Sequence, residues 1–196
     1  MGKLIVFEGT DGSGKSTQFE LLAKRLEAEQ IGFQRLRFPQ YEEPSSALIR
    51  MYLGGAFGDD PEAVNAYAAS TFYAVDRYAS YQRVWKDYYQ GGGLVVSDRY
   101  TTSNAVHQGS KVPEAERAEF FRWLYDLEYD RMGLPRPDLV VLLDMPVELS
   151  EQLMRKREQS TGTHADIHER DEDYLKKCRD VALDNFLIEL YNLLGH

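Results

Sequence analysis

The chain has 196 residues, which suits one domain with a single sizeable core. Its formal net charge of −9 argues against a nucleic-acid polymer or an anionic membrane as the main partner. The single cysteine excludes an internal disulfide and a multi-cysteine metal site, and no stretch has the pattern of a signal peptide or a membrane span. We therefore expect a cytoplasmic protein that forms one domain over residues 1–196.

Short apolar runs alternate with stretches of helical periodicity along the chain. The predicted strands cover residues 4–7, 33–38, 94–96 and 139–143. The predicted helices cover residues 17–30, 45–53, 61–89, 113–129, 146–157 and 169–194. Strands that alternate with helices form a parallel sheet with helices on both faces, and continuous apolar strands suit its interior. This order predicts an α/β fold whose ligand lies at the carboxyl ends of the strands.

The segment after the first predicted strand has the form G-x-x-x-x-G-K-S, from Gly9 to Ser16. Its glycines let the backbone curl so that N–H groups point at a phosphate, and the following helix adds its positive end. Lys15 would reach the β- and γ-phosphates of ATP, and the Ser16 hydroxyl would hold Mg²⁺. The predicted ATP-binding residues are Gly9, Thr10, Asp11, Gly12, Ser13, Gly14, Lys15, Ser16 and Thr17. Strand, loop and helix in this order predict a three-layer P-loop NTPase fold.

Asp98 and Arg99 directly follow the third predicted strand. A carboxylate at that edge of the sheet can hold Mg²⁺, and a guanidinium matches an acceptor phosphate with two parallel hydrogen bonds. Without the upstream loop, the same pair would indicate a helix N-cap followed by a surface arginine. With that loop present, the pair favours a phosphoryl-transfer site.

Ser70, Tyr73 and Arg77 share one face of the long predicted helix. An aromatic ring one turn from an arginine can stack on a base while the arginine bonds the edge of that base. Most aromatic residues of this helix must instead lie in the core or at a subunit contact, among them Tyr67, Tyr78, Tyr81, Trp85 and Tyr88. The pattern alone leaves both interpretations of Tyr73 and Arg77 open.

The segment at about 155–170 is basic, contains glycine and is poor in apolar residues. This composition predicts a lid that brings an arginine over the transferring phosphate, with Arg155, Arg157 and Arg170 as candidates. The alternative is a solvated loop with ordinary surface charges.

The chain resembles the thymidylate kinases over nearly its whole length. Three stretches match motifs of that family: Phe7–Thr17, the D-R-Y-T-T-S-N-A run Asp98–Ala105, and the strand Pro137–Pro146. Phe38–Tyr41 is similar to the family's F-P-x-Y/R segment, and Tyr73–Arg77 fits its F-x-x-x-R element, with tyrosine in place of the usual phenylalanine. The resemblance implies a homodimeric kinase that uses ATP and Mg²⁺ to convert dTMP to dTDP for dTTP synthesis.

The resemblance also implies a role for individual residues. The substrate-binding group would comprise Asp11, Phe38, Tyr41, Tyr73, Arg77, Arg99, Ser103 and Asn104. Within it, Asp11 would bond the 3′-hydroxyl of the sugar, whereas Phe38, Tyr41 and Arg99 would hold the monophosphate. Tyr73 would stack on thymine, Arg77 would bond its carbonyl, and Asn104 would bond its N3 edge. The implied catalytic group is Lys15, Asp98, Arg99 and one of the three lid arginines, with Ser16 and Asp98 at the metal.

Two other activities use a similar phosphate loop. A deoxynucleoside kinase would phosphorylate a 5′-hydroxyl, but the Phe38–Tyr41 segment and Asn104 argue for a monophosphate acceptor. A GTPase-type switch normally carries an N-K-x-D segment, and this chain contains no Asn-Lys pair. Both alternatives are therefore less consistent with the sequence than a nucleoside monophosphate kinase.

Overall fold

The computed structural model describes residues 1–10, 12–58, 60–146, 148–150, 152–153 and 176–184. Its four strands form one sheet in the order β2-β3-β1-β4, and every neighbouring pair is parallel. The strands are β1, Lys3–Glu8; β2, Phe33–Arg37; β3, Leu94–Asp98; and β4, Leu139–Leu142. All four predicted strands are thus confirmed, and the sheet is parallel as expected.

Helices connect the strands and continue the alternation. They are α1, Lys15–Ala28; α2, Ala47–Leu53; α3, Ala66–Ser80; α4, Lys86–Gln90; α5, Thr101–Gly109; and α6, Glu114–Tyr125. Two π-helical turns, Tyr81–Trp85 and Asp126–Arg131, extend α3 and α6. Residues 148–150, 152–153 and 176–184 are also helical. Across these described ranges, no helix is long and apolar enough to cross a membrane.

Helices cover both faces of the sheet because successive strand residues point in opposite directions. Leu4 and Val6 of β1 belong to the core cluster that contains Trp85 and Tyr89, on the side of the first π-helical turn and α4. Phe7 belongs to a second cluster with Phe19 of α1, on the other side. These two cores on opposite faces confirm the three-layer α/β arrangement.

The prediction of a helix that begins at Pro61 is wrong. Pro61–Ala63 is an isolated 3₁₀ turn, and α3 begins at Ala66. Asn65 caps that helix, since its side-chain oxygen accepts from the Ala68 N–H at 2.9 Å. Proline tolerates the first turn of a helix, but an asparagine cap satisfies a backbone donor and fixes the start.

Helix α5 was not predicted at all. No helix or strand was predicted for its residues, Thr101–Gly109. Threonine, serine and asparagine have weak helix propensity, so no local pattern indicated a helix here. The helix instead owes its stability to burial, because Thr101, Thr102, Asn104 and Ala105 are all buried.

Candidate active site

The loop between β1 and α1 curls because its glycines adopt conformations with positive φ. Gly9 has φ 149° and Gly14, which precedes α1, has φ 84°. A Cβ added at Gly9 would lie 2.7 Å from the main-chain oxygen of Leu143 and 2.7 Å from Ser13 Oγ. Only glycine therefore lets the loop approach β4 so closely.

Lys15 is the first residue of α1, and its side chain turns back into this loop. Its Nζ donates to the carbonyl oxygens of Gly9, at 2.7 Å, and Thr10, at 2.9 Å. The residue is only 6% exposed, so its ammonium group is buried inside the loop. A cation in this position suits the phosphates of a nucleotide. Asp11 lies outside the described residues, so its predicted sugar contact stays a prediction.

Asp98 lies next to the phosphate loop because β1 and β3 are neighbours, with Phe7 opposite Asp98 in the register. Ser16 Oγ lies 3.4 Å from Asp98 Oδ2 and donates to it. Arg37, the last residue of β2, also donates to Asp98 Oδ2, from Nε at 3.1 Å. The sequence reasoning missed Arg37, although its place at a strand's carboxyl end was a usable signal.

Arg99 adopts a left-handed backbone conformation, φ 70°, which is unusual for a residue other than glycine. Such a conformation costs roughly 1–3 kcal/mol and persists only where the surroundings hold it. Its Nη1 lies 2.9 Å from His107 Nε2 and 3.3 Å from Ser103 Oγ. Glu8 Oε1 lies 3.9 Å from the same nitrogen. The guanidinium is thus fixed at the sheet edge, beside the phosphate loop.

Glu8 is a buried carboxylate that the sequence reasoning did not single out. It is 3% exposed and accepts from Thr102 Oγ1 at 2.8 Å and Ser103 Oγ at 2.8 Å. It also accepts from the Gly9 N–H at 3.1 Å. Glu8 therefore joins the start of α5 to the phosphate loop. The sequence signal that could have identified Glu8 is an acidic residue at the end of a continuous apolar strand.

The segment after β2 begins with a cis peptide bond between Phe38 and Pro39. Phe38 is 3% exposed and packs in the core against Tyr100, so any contact of Phe38 with a phosphate would come from its backbone. Tyr41 is 47% exposed. The buried Asp76 holds this segment, since it accepts from the Gln40 N–H at 2.8 Å. The sequence reasoning also missed Asp76.

Arg77 forms a buried ion pair with Glu128 of the second π-helical turn. Its Nε and Nη2 donate to the two carboxylate oxygens, each at 2.6 Å. The side chains of Arg77 and Glu128 are only 2% and 0% exposed. Burial alone would lower the pKa of Arg77, but the charge and hydrogen bonds of Glu128 raise it above its ordinary value. The guanidinium therefore stays charged inside the protein.

Asn104 of α5 belongs to the same cluster. Its Nδ2 donates to Ser70 O at 3.1 Å and to Glu128 Oε1 at 3.2 Å. Thr101 Oγ1 donates to Glu128 Oε2 at 2.8 Å. Tyr73 is partly buried and lies one turn before Arg77 on α3. The structure thus brings together Arg77 and Asn104, two of the residues predicted to contact the base, and adds Glu128.

The three predicted lid arginines, Arg155, Arg157 and Arg170, lie outside the described residues. Their catalytic role and the lid itself stay predictions. The predicted site residues that the structure describes lie at the carboxyl ends of β1, β2 and β3 and on the segments and helices that follow them.

Known proteins match this chain over most of its length. A protein-family model described as "Thymidylate kinase" matches residues 7–193. The chain belongs to the thymidylate kinase family. It is therefore an ATP-dependent nucleoside monophosphate kinase, and the family match favours this activity over a deoxynucleoside kinase or a GTPase-type switch.

Individual relatives support the assignment. The thymidylate kinase of Mycobacterium tuberculosis is 35% identical over 170 residues, which cover 86% of this chain and 78% of the relative. A probable thymidylate kinase of Thermococcus gammatolerans is 35% identical over 161 residues, 80% of this chain and 72% of the relative. The solved structure of thymidylate kinase from Candida albicans has a TM-score of 0.69 and 23% identity, covering 93% of this chain and 77% of that chain. That structural likeness supports the fold.

Proposed function

We propose that the protein transfers the γ-phosphate of ATP to dTMP, giving dTDP and ADP for dTTP synthesis. One observation carries this proposal beyond family membership. Ser16 of the phosphate loop lies 3.4 Å from Asp98, and Asp98 is followed directly by Arg99. This contact supports a donor site at Ser16 and an acceptor site at Arg99 on one edge of the sheet, which is what direct transfer between two bound nucleotides requires.

Phosphoryl transfer needs mainly positioning and charge stabilisation, and no side chain has to act as a nucleophile. In the proposed reaction a phosphate oxygen of dTMP attacks the γ-phosphate of ATP in line with the leaving oxygen. Lys15 neutralises charge on the transferring group, and Arg99 holds the acceptor phosphate. Both cations are already held in place. Lys15 donates to the carbonyl oxygens of Gly9 and Thr10. Arg99 contacts the side chains of Ser103 and His107. Preorganised charge of this kind lowers the barrier most effectively.

The side chains of Ser16 and Asp98 fit a magnesium ion. A hydroxyl and a carboxylate are hard oxygen donors, and the two stand at the mouth of the phosphate loop, 3.4 Å apart. Bound there, Mg²⁺ would neutralise negative charge on the ATP phosphates. Arg37 also bonds Asp98, so it keeps this carboxylate in place and adds a further cation to the same edge.

The acceptor pocket would use the remaining predicted residues. We propose that Tyr41 and Arg99 hold the monophosphate, Tyr73 stacks on thymine, and Arg77 and Asn104 bond its polar edge. Asp11 and one of the lid arginines would complete the site. The buried position of Arg77 and Asn104, 2% and 3% exposed, supports a base that enters deeply between α3 and α5.

We also propose that two chains associate as a homodimer. Helix α2 exposes Leu48 and Met51, which are 43% and 45% exposed, and α3 exposes Val75 and Tyr78, at 49% and 39%. We propose that these apolar side chains form one patch at the dimer contact, since a contiguous exposed apolar patch marks a contact surface. Light scattering after size-exclusion chromatography should give twice the mass of one chain, and Val75→Glu should lower it. A monomer at all concentrations would contradict the dimer.

The activity is tested with a panel of acceptors in the presence of ATP and Mg²⁺. We expect the diphosphate from dTMP and no monophosphate from thymidine, measured by anion-exchange chromatography. Efficient phosphorylation of thymidine would instead indicate a deoxynucleoside kinase. Hydrolysis of ATP that is independent of every acceptor would contradict a kinase.

A further inference from the structure

Glu128 is fully buried, at 0% exposed, which is rare for a carboxylate. It accepts from Arg77 Nε and Nη2 at 2.6 Å each, from Thr101 Oγ1 at 2.8 Å and from Asn104 Nδ2 at 3.2 Å. These donors come from α3 and α5, whereas Glu128 comes from the π-helical turn after α6. One buried side chain therefore orients two residues that are proposed to contact the base.

The amide of Asn104 can have only one orientation in this cluster. Its two neighbours, the Glu128 carboxylate and the Ser70 carbonyl oxygen, are both acceptors. The Nδ2 group has two hydrogens, and both are used by these neighbours. The reverse orientation would place Oδ1 against two acceptors and leave the hydrogens unbonded. Asn104 can therefore offer a bound base only its oxygen, which is an acceptor.

The guanidinium of Arg77 offers the opposite polarity. Its Nε and Nη2 each donate one hydrogen to Glu128, and Nη1 donates one to Tyr100 O at 3.5 Å, so the remaining hydrogens of Nη1 and Nη2 are those left for a base. A guanidinium is a donor only. Together, Arg77 and Asn104 present one donor and one acceptor. Thymine and uracil carry an N3–H donor beside a carbonyl acceptor and match this pair. Cytosine carries an N3 acceptor beside an amino donor and mismatches it at both positions.

We propose that Glu128 is a specificity-determining positioning residue, which fixes the hydrogen-bond polarity of Asn104 and Arg77 so that the acceptor site takes keto-pyrimidine monophosphates and rejects dCMP. The proposal rests on the proposed function, in which these two residues contact the base. A site with fixed polar groups discriminates strongly, because a mismatched ligand leaves those buried groups unbonded.

The first test replaces Glu128 by glutamine, which has the same shape but offers one acceptor and one donor. The amide of Asn104 can then turn over and accept from the new NH₂ group. We expect Glu128→Gln to lower the ratio of kcat/KM for dUMP over dCMP by at least about tenfold, while KM for ATP is unchanged. dUMP and dCMP form a matched pair, since they differ only in the polarity of this edge.

The control is Thr101→Val, which removes another hydrogen bond to the same carboxylate but leaves Asn104 and Arg77 bound to it. We expect this variant to lose thermal stability and to keep the wild-type ratio. An unchanged ratio in Glu128→Gln, or an equal fall in both variants, would overturn the proposal because either result indicates a purely structural role.

A measurement on the unmodified protein covers the case in which Glu128→Gln does not fold. We expect dUMP to be phosphorylated at least about a hundredfold more efficiently than dCMP, and N3-methyl-dTMP to be a poor acceptor. If dTMP is phosphorylated but dUMP and dCMP react equally well, the inference about Glu128 fails while the proposed function stands. If no pyrimidine monophosphate is phosphorylated, the proposed function itself fails.

Discussion

Replacing Arg77 by methionine tests the buried ion pair through the free energy of unfolding. Methionine keeps much of the side-chain length but leaves the Glu128 carboxylate without its charged partner. Breaking a buried pair from one side costs roughly 3–5 kcal/mol. Here Glu128 keeps its hydrogen bonds from Thr101 and Asn104, so we expect a loss near the lower end, about 3 kcal/mol. That is a large part of the roughly 5–15 kcal/mol that stabilises a typical domain.

Urea unfolding at pH 7, followed by circular dichroism and by the fluorescence of the buried Trp85, measures this loss. The matched control is the double variant Arg77→Met with Glu128→Gln, which removes both charges. No buried charge is left unpaired in the double variant. We therefore expect the losses in Arg77→Met and in Glu128→Gln, added together, to exceed the loss in the double variant by about 2 kcal/mol. A loss below about 1 kcal/mol in Arg77→Met, or strictly additive losses, would refute the reasoning.

Three further changes test other parts of the structure. Lys15→Met should lower kcat by at least about 10²-fold without unfolding the protein, and wild-type turnover would contradict its role at the phosphates. Gly9→Ala should weaken ATP binding and lower stability by about 2 kcal/mol in urea unfolding, because the new Cβ meets the rigid carbonyl of Leu143; unchanged values would argue against the close approach. Burial lowers the pKa of Lys111 from 10.5 to about 8, so the unfolded chain binds this proton more tightly. Burial of the charged ammonium lowers the free energy of unfolding, and this destabilisation is fully present below pH 8. Stability should therefore rise with pH from about 8 to 10.5. Lys111→Met should flatten that rise relative to the wild type, whereas parallel curves would contradict the shifted pKa.

The part of the site formed by the phosphate loop and Asp98 could be predicted, because the sequence patterns that indicate it are local. Gly9 to Ser16 carries its own spacing, and Asp98 ends a buried apolar strand. The carboxyl ends of parallel strands converge, which is sufficient to bring Ser16 and Asp98 together without knowledge of the strand order. The structure adds that β1 and β3 are direct neighbours, so these side chains touch.

The part of the site that is proposed to bind the base could not be predicted in the same way, because its residues contact each other across long separations in sequence. Glu128 is 51 residues from Arg77 and 24 residues from Asn104, and no spacing in the sequence links them. Helix α5, which carries Asn104, has a polar sequence whose helical form depends on burial. Asp76 was overlooked although it is adjacent to Arg77, since its partner Gln40 lies on another segment. Tertiary packing, rather than local propensity, positions these residues.

The central claim is that the γ-phosphate of ATP passes directly to dTMP, and a labelled substrate tests it most directly. The protein is incubated with dTMP, Mg²⁺ and ATP labelled at the γ-phosphate, and the products are separated by anion-exchange chromatography. The account predicts that the label appears in dTDP, with one ADP formed for each dTDP. Label found only in inorganic phosphate, with no labelled dTDP, would contradict it.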